Sequence, residues 1–435
     1  MERIEIGILG IVIALVLMAL RMQVGVVLGL VAFVGISVLT SVSAAWGILT
    51  AIPLNFIADW NLSAVPMFLL MGYIAAQAGL TKGLFQSARI FLGRVPGGLA
   101  SATVIASALF ASASGSSVAT AAAFSRIAVP EMLKSGYKSS LATGSVAAAG
   151  TLGSLIPPSI LMILFGIFTE TSIGSLFIGG ILPGILSAFA FIVMITVRAK
   201  LDPTLAPVNE VRATHQETWE ALRGIWPLPT LILGVLGGIF AGFFSPTEAG
   251  AVGAALAVLI AVVRRTLSVK AIRTALIETA EGTSTVFVIA IGATMFSVFL
   301  GLSSVPNALA DWLLGVIESP VAVIMAIAVI YILLGMFVDS VSIMLLTIPI
   351  IDPILKGLGV DMIWFGIIAI KLLEIGMVTP PVGLNVYVIR SALGSSVNIT
   401  DVFRGVSWFI LTDIVTLALL IGFPAITLFL PQIMN

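Results

Sequence analysis

The chain has 435 residues, of which 60% are hydrophobic and only 9% are charged, split evenly between 20 Lys+Arg and 20 Asp+Glu. A soluble domain carries roughly 25% charged residues, so this chain cannot cover a globular surface with polar groups, and it reads as an all-α polytopic membrane protein. Having no Cys and one His (His215, in the most polar stretch), it excludes disulfide frameworks, thiolate metal sites and intramembrane imidazole chemistry. Zero formal net charge without a basic run argues against nucleic-acid binding.

A spanning helix needs about 20 predominantly apolar residues. Ten such segments are expected, at 4–20, 24–42, 62–80, 138–170, 173–198, 226–244, 246–263, 275–303, 360–391 and 404–431. The first follows a single basic residue, Arg3, without a clear cleavage site, and reads as a span and not a signal peptide. Segments 97–134 and 320–353 differ: each is too long for one simple span and is small or polar at its middle.

Loop charges place these two. The first is flanked by Lys82, Arg89 and Arg94 on entry and by Lys134 and Lys138 on exit, so both ends belong in the cytoplasm under the positive-inside rule. A segment with both ends on one side is a re-entrant hairpin. The second is flanked by Asp311, Glu318, Asp352 and Asp361, with Lys356 as the lone basic residue, so its ends belong outside. The same count puts Arg198, Lys200, Arg212, Arg223, Arg264, Arg265, Lys270 and Arg273 inside, Arg21 and Arg390 near the cytoplasmic face, and both termini outside. The polar 199–225 segment divides the chain, and its WEAL stretch is expected to form a short surface helix.

Each half carries the same device. Gly153-Ser-Leu-Ile-Pro157-Pro158 and Gly376-Met-Val-Thr-Pro380-Pro381 both read GxxxPP, and Lys134 precedes Pro157 by 23 residues while Lys356 precedes Pro380 by 24. With hairpins opening to opposite sides, the halves form an inverted repeat. The expected organisation is N-terminal scaffold helices over 1–60, then repeat 1 over 61–198 with hairpin 97–134 and broken helix 138–170. A linker with further scaffold helices covers 199–274, and repeat 2 covers 275–435 with hairpin 320–353 and broken helix 360–391.

Paired prolines remove two backbone donors inside a span and push the preceding residue out of helical geometry. Carbonyls near Gly153–Ile156 and Gly376–Thr379 then need protein, water or an ion; a simple kink repaired by Ser or Thr is the plainer reading. The hairpin middles offer oxygens: ASASGSSVAT around Gly115, and GMFVDSVS around Asp339. Such oxygens suit a hard cation such as Na⁺, although small residues also serve close helix packing. An intramembrane carboxylate is costly and marks function, so Asp339 reads as an ion ligand, a helix cap or both. Opposed hairpins with paired broken helices fit the general plan of secondary transporters.

The runs SGSSVATAAAFSRIAVPEMLKSGY, AAAGTLGSLIPPSILMILFG, LLGMFVDSVSIMLLTIPI and GMVTPPVGLNVYVI resemble the large membrane subunit of the tripartite ATP-independent periplasmic (TRAP) transporters, and the resemblance extends over essentially the whole chain. It implies a bacterial inner-membrane, multi-pass subunit that imports organic acids by Na⁺ symport with an elevator movement. It also implies a separate small four-helix membrane (Q) subunit, a soluble periplasmic binding protein, and no organic cofactor. One Na⁺ site would use Ser114 and Ser117 with Gly153, Ile156 and Pro157; the other would use Gly335 and Asp339 with Gly376, Thr379 and Val382. Substrate would meet Ser116, Thr120, Ser159, Ser340 and Asn385. Arg126 is open between a substrate anion, snorkelling, and pairing with Asp339 or Glu374.

Lys371 and Glu374 are expected to form a local ion pair, and Trp46, Trp60, Trp312 and Trp364 to anchor at the membrane interface. A self-sufficient organic-anion symporter is the alternative within the same class. An intramembrane enzyme is disfavoured, because the chain has no HExxH, GxSxG or intramembrane His, although spacing alone does not exclude a Ser–Lys dyad. No GxxxxGK[ST] is present, so the chain supplies no ATPase of its own.

Overall fold

The computed structural model describes residues 2–93, 95–207, 214–316 and 319–434. Arg94, Arg212 and Glu318 lie outside the described residues, as do the side chains of Lys82 and His215. The described residues are helical with no strand. Both expected hairpins are present. The first pairs Gly98–Ser114 with Ser117–Lys134, and the second pairs Pro320–Gly335 with Ser340–Gly357. Gly115 turns the first tip at φ 61°, a left-handed conformation that glycine enters without steric cost.

Both broken helices are also present, as Ser139–Leu155 with Ile160–Thr169, and Met362–Val378 with Leu384–Leu393. Each breaks where the Pro pair demands it. Ile156 (φ −89°, ψ 121°) and Thr379 (φ −83°, ψ 135°) sit in the extended region to which a following proline restricts them. The Pro157–Pro158 and Pro380–Pro381 bonds are cis.

The hairpins open at opposite ends of the core. The first runs straight through the 135–138 turn into the start of the first broken helix. At the base of the second, Lys356 Nζ donates to the Thr169 carbonyl (3.1 Å), at the far end of that same helix. The two broken helices are antiparallel: a Cβ on Gly405, just beyond the second, would meet Gly144 Cα at 3.1 Å near the start of the first. Each half-helix packs on the other repeat's hairpin, Leu384–Leu393 on Ser117–Lys134 and Ile160–Thr169 on Ser340–Gly357. The repeats are therefore interlocked.

Five of the ten expected spans contain a helix long and apolar enough to cross a membrane: Ser139–Thr169, Ile173–Leu201, Pro246–Val263, Val269–Ser303 and Ile399–Gly422. Ser340–Gly357, an arm of the second hairpin, meets the same description. The others are built from shorter pieces, including Arg3–Ala19, Val24–Leu39 and Pro227–Phe240. The sequence reading missed Val42–Ala58, which meets Trp60–Gln77 at a 59° bend, and the short helix Val305–Val316. It also merged Ile399–Gly422 and Ala425–Met434 into one span. WEAL lies in His215–Ile225, which packs on Leu80–Leu92, another missed helix. Ser87 Oγ there approaches the Ala221 carbonyl at 2.8 Å.

Two apolar clusters divide the interior. The larger takes in both hairpins and both broken helices and extends through Ala64–Gln77, Ile173–Leu201, Pro227–Phe240, Pro246–Val263 and Ile399–Gly422. The smaller joins Arg3–Ala19 and Val24–Leu39 to the long Val269–Ser303, and takes in Leu345 and Leu346 from the second hairpin. Trp46, Trp60 and Trp312 are exposed, but Trp364 is buried and its indole donates to the Leu420 carbonyl (2.8 Å). Burial and a backbone acceptor replace the expected interface position.

Candidate functional site

The hairpin tips and helix breaks meet at the middle of the larger cluster. At the first tip, Ser116 caps the return arm, accepting from Ala119 N at 3.3 Å. Ser114 and Thr120 hydroxyls lie 3.0 Å apart, and Ser117 approaches the Ser154 hydroxyl at 2.8 Å. A Cβ on Gly153 would lie 2.7 Å from the Ala111 Cβ, so the break rests directly on the hairpin's first arm.

The second tip repeats this arrangement with different side chains. Asp339 stands where Ser116 does and caps its own return arm, accepting from Ser342 N (3.0 Å) and Ser342 Oγ (2.6 Å). Ser340 stands where Ser117 does, and its hydroxyl is shared between Met377 Sδ (2.8 Å) and Glu374 Oε1 (3.3 Å). Gly335 faces Gly376 backbone to backbone. The Met336 carbonyl of this tip accepts from Gly383 N (3.3 Å).

Glu374 joins the two tips. Its Oε2 accepts from Ser117 Oγ at 2.6 Å, and its Oε1 faces Ser340. Its side chain is buried, and a buried carboxylate demands hydrogen-bond donors. Lys371 does not pair with it. That ammonium is buried against Asp413 and lies 3.1 Å from Ser187 Oγ. The expected local ion pair is thus corrected: three residues along a helix place the two side chains near one face, but each finds a closer partner on another helix.

Four helix N-termini open at this centre: Ser117, Ser340, Ile160 and Leu384. Ser159 caps the third, accepting from Met162 N (3.5 Å). Beside the fourth, Asn385 is fully buried, and neither its amide oxygen nor its nitrogen has a partner among the described residues. Helix N-termini attract anions through free N–H groups and the helix dipole. The centre therefore pairs anion-attracting backbone with cation-attracting oxygens.

A family model described as "Tripartite ATP-independent periplasmic transporter, DctM component" matches residues 11–426. The chain belongs to this family. It is 36% identical over 376 residues to the C4-dicarboxylate TRAP transporter large permease protein of Pseudomonas aeruginosa, covering 86% of each chain. To the sialic acid TRAP transporter large permease protein of Vibrio cholerae it is 33% identical over 382 residues, covering 87% of this chain and 88% of that one. Among solved structures, the YdaH transporter of Alcanivorax borkumensis superposes with a TM-score of 0.64 at 16% identity, over 88% of this chain and 89% of that one. That likeness concerns the fold alone.

In this TRAP large permease, the residues expected at the first ion site gather as a group: Ser114 and Ser117 lie at the tip, and Gly153, Ile156 and Pro157 at the facing break. The second set gathers likewise, with Gly335 on Gly376 and Thr379 and Val382 within the break. The Thr379 hydroxyl folds back to the Ile375 carbonyl (2.6 Å). Ser116, Thr120 and Ser340 lie at the starts of the two return arms, and Ser159 and Asn385 at the starts of the two half-helices. Arg126 is exposed on the first return arm, with no ion pair among the described residues. Pairing with Asp339 or Glu374 is not observed, since those carboxylates serve Ser342 and the two tip serines. Sequence reasoning missed Ser154, Met377, Asp413 and the bridging role of Glu374. The rule that intramembrane carboxylates mark function was available for Glu374 and Asp413 as it was for Asp339.

Proposed function

We propose that the chain is the large membrane subunit of a Na⁺-coupled, binding-protein-dependent importer of small organic acids in a bacterial inner membrane. The observation that carries this reading is the unpartnered, fully buried Asn385 amide beside a half-helix N-terminus, at a centre where two oxygen-rich tips face two broken helices. A carboxylate or sulfonate supplies acceptors to that amide and to the open N–H groups. Na⁺ supplies charge to the hydroxyl and carbonyl oxygens of Ser114, Ser117, Gly153, Ile156 and Pro157, and of Gly335, Asp339, Gly376, Thr379 and Val382. Relatives named for a C4-dicarboxylate and for sialic acid support a carboxylate substrate.

The two hairpins and two broken helices are the moving body and the Arg3–Ala19, Val24–Leu39 and Val269–Ser303 group belongs to the scaffold, so transport is an elevator movement with both termini in the periplasm. A small four-helix membrane subunit completes the scaffold, and a soluble periplasmic protein delivers substrate. The polypeptide is a transporter and performs no bond chemistry. The test is uptake into proteoliposomes containing this chain and its small subunit. Uptake should need both Na⁺ and added binding protein. Equal uptake with K⁺ in place of Na⁺, or undiminished uptake without binding protein, overturns the proposal.

A further inference from the structure

The two tips are near-symmetric, but the residue between them is not. Glu374 lies two residues before Gly376, and its counterpart two residues before Gly153 is Thr151, whose hydroxyl turns back to the Ala148 carbonyl (2.7 Å). The second repeat thus contributes a carboxylate that reaches both hairpins, and the first contributes none. One oxygen accepts from Ser117, the first residue of the first return arm; the other faces Ser340, the first residue of the second. Ser154, beside the first break, joins through Ser117, and Met377, beside the second, through Ser340. Both tips and both breaks therefore meet through one cluster of side chains, Ser154, Ser117, Glu374, Ser340 and Met377, in which the single Ser340 hydroxyl proton is divided between Glu374 and Met377. The carboxylate has no ion pair among the described residues, because Lys371 is engaged by Asp413.

We infer that Glu374 is a positioning residue that links the two hairpin tips, so that an ion seated at one tip raises the affinity for an ion at the other. This rests on the proposed Na⁺ coupling and goes beyond it by naming what makes the two sites interdependent. The physical route is short. Drawing Ser117 towards an ion at the first tip turns or releases the carboxyl. That movement changes what Ser340 meets, and Ser340 adjoins Asp339 at the second tip. A carboxyl shared by two first-turn serines cannot reorient for one without changing its contact with the other. Coupling between sites usually changes affinity by roughly 5- to 150-fold, and the same factor must act in both directions.

The experiment measures equilibrium binding of radioactive Na⁺ to the purified complex of this chain with its small subunit, beside Na⁺-dependent uptake in proteoliposomes. The native complex should bind Na⁺ along a sigmoidal curve. Glu374→Gln should bind with a Hill coefficient close to that of independent sites and a higher half-saturating Na⁺ concentration. Its amide keeps the shape but replaces one acceptor by a donor. A purely structural role would instead lower the amount of folded protein without changing the curve's shape. Should Glu374→Gln fail to fold, Ser340→Ala removes one arm of the link and should flatten the curve in the same way. A non-sigmoidal native curve overturns the inference, as does an unchanged Hill coefficient in both variants. Uptake indifferent to Na⁺ would instead overturn the functional proposal, so the two failures are separable.

Discussion

Lys371 donates to Asp413, 42 residues away on Ile399–Gly422, and not to Glu374 on its own helix. Both side chains are almost fully buried, and the pair ties the second broken helix to the helix that follows it. Removing one partner of a buried pair leaves an uncompensated charge and costs about 3–5 kcal/mol. Lys371→Met should therefore lower the stability of the purified protein by that order, read as a drop in thermal unfolding midpoint. Lys371→Met with Asp413→Leu should recover most of the loss, because apolar replacements of similar volume are often neutral at such sites. A double variant no better than the single one would show that the pair itself is required.

Gly335 and Gly376 mark where the second hairpin seats on the second break. A Cβ on Gly335 would lie 2.8 Å from Gly376 Cα, and one on Gly376 would lie 2.6 Å from Gly335 Cα. The obstacle in both cases is backbone, which cannot rotate away. Overpacking of this kind costs about 1–3 kcal/mol. Gly335→Ala and Gly376→Ala should each destabilise by that amount and reduce uptake, and combining them should not restore either property. Unfolding midpoints and initial uptake rates check this. Gly237→Ala, where an added Cβ meets nothing within 4 Å, is the control and should have little effect.

The hairpins and breaks were legible because each has a local chemical signature. A Pro pair cannot continue a helix wherever it stands, and hydroxyl-rich tips with a glycine or carboxylate cannot lie in lipid without partners. Loop charge in the same short stretches assigns the two hairpins opposite senses, and they do open at opposite ends of the core. Val42–Ala58 escaped because Ser43, Thr50, Pro53 and Asn55 dilute its apolar run, and because it begins where the preceding span ends. Leu80–Leu92 escaped because it is amphipathic rather than uniformly apolar. The pairing of Lys371 with Asp413, and of Glu374 with Ser117 and Ser340, left no trace in spacing. Those contacts exist only once helices distant in sequence have packed, whereas a three-residue separation offers an obvious and incorrect local alternative.

The opposed hairpins make a topological prediction that the absence of native Cys makes easy to check. Ser135, at the base of the first hairpin, and Gly357, at the base of the second, are convenient positions for single cysteines. Neighbouring Gly136 is less suitable, because its φ of 80° strains any residue with a side chain. Ser135→Cys should react with an impermeant thiol reagent from the cytoplasmic side, and Gly357→Cys from the periplasmic side. Labelling of both from one face would overturn the inverted arrangement across the membrane.

Asp339 allows its two roles to be separated by a pair of substitutions. Its carboxylate accepts from the backbone and hydroxyl of Ser342, which is the geometry of an N-cap, and it sits beside the proposed second ion site. Asn caps a helix about as well as Asp, whereas Ala costs about 0.5–2 kcal/mol. If capping were the whole role, Asp339→Asn would change nothing and Asp339→Ala would reduce folded protein. With the carboxylate also supplying charge to Na⁺, Asp339→Asn keeps the cap and the shape but removes that charge. The Na⁺ concentration for half-maximal uptake should then rise in the Asn variant, while its unfolding midpoint stays near that of the native protein. Uptake measured across a Na⁺ series, beside thermal unfolding of both variants, decides the matter. An unaltered Na⁺ dependence in Asp339→Asn, with only Asp339→Ala impaired, would leave Asp339 as a cap and remove it from the ion site.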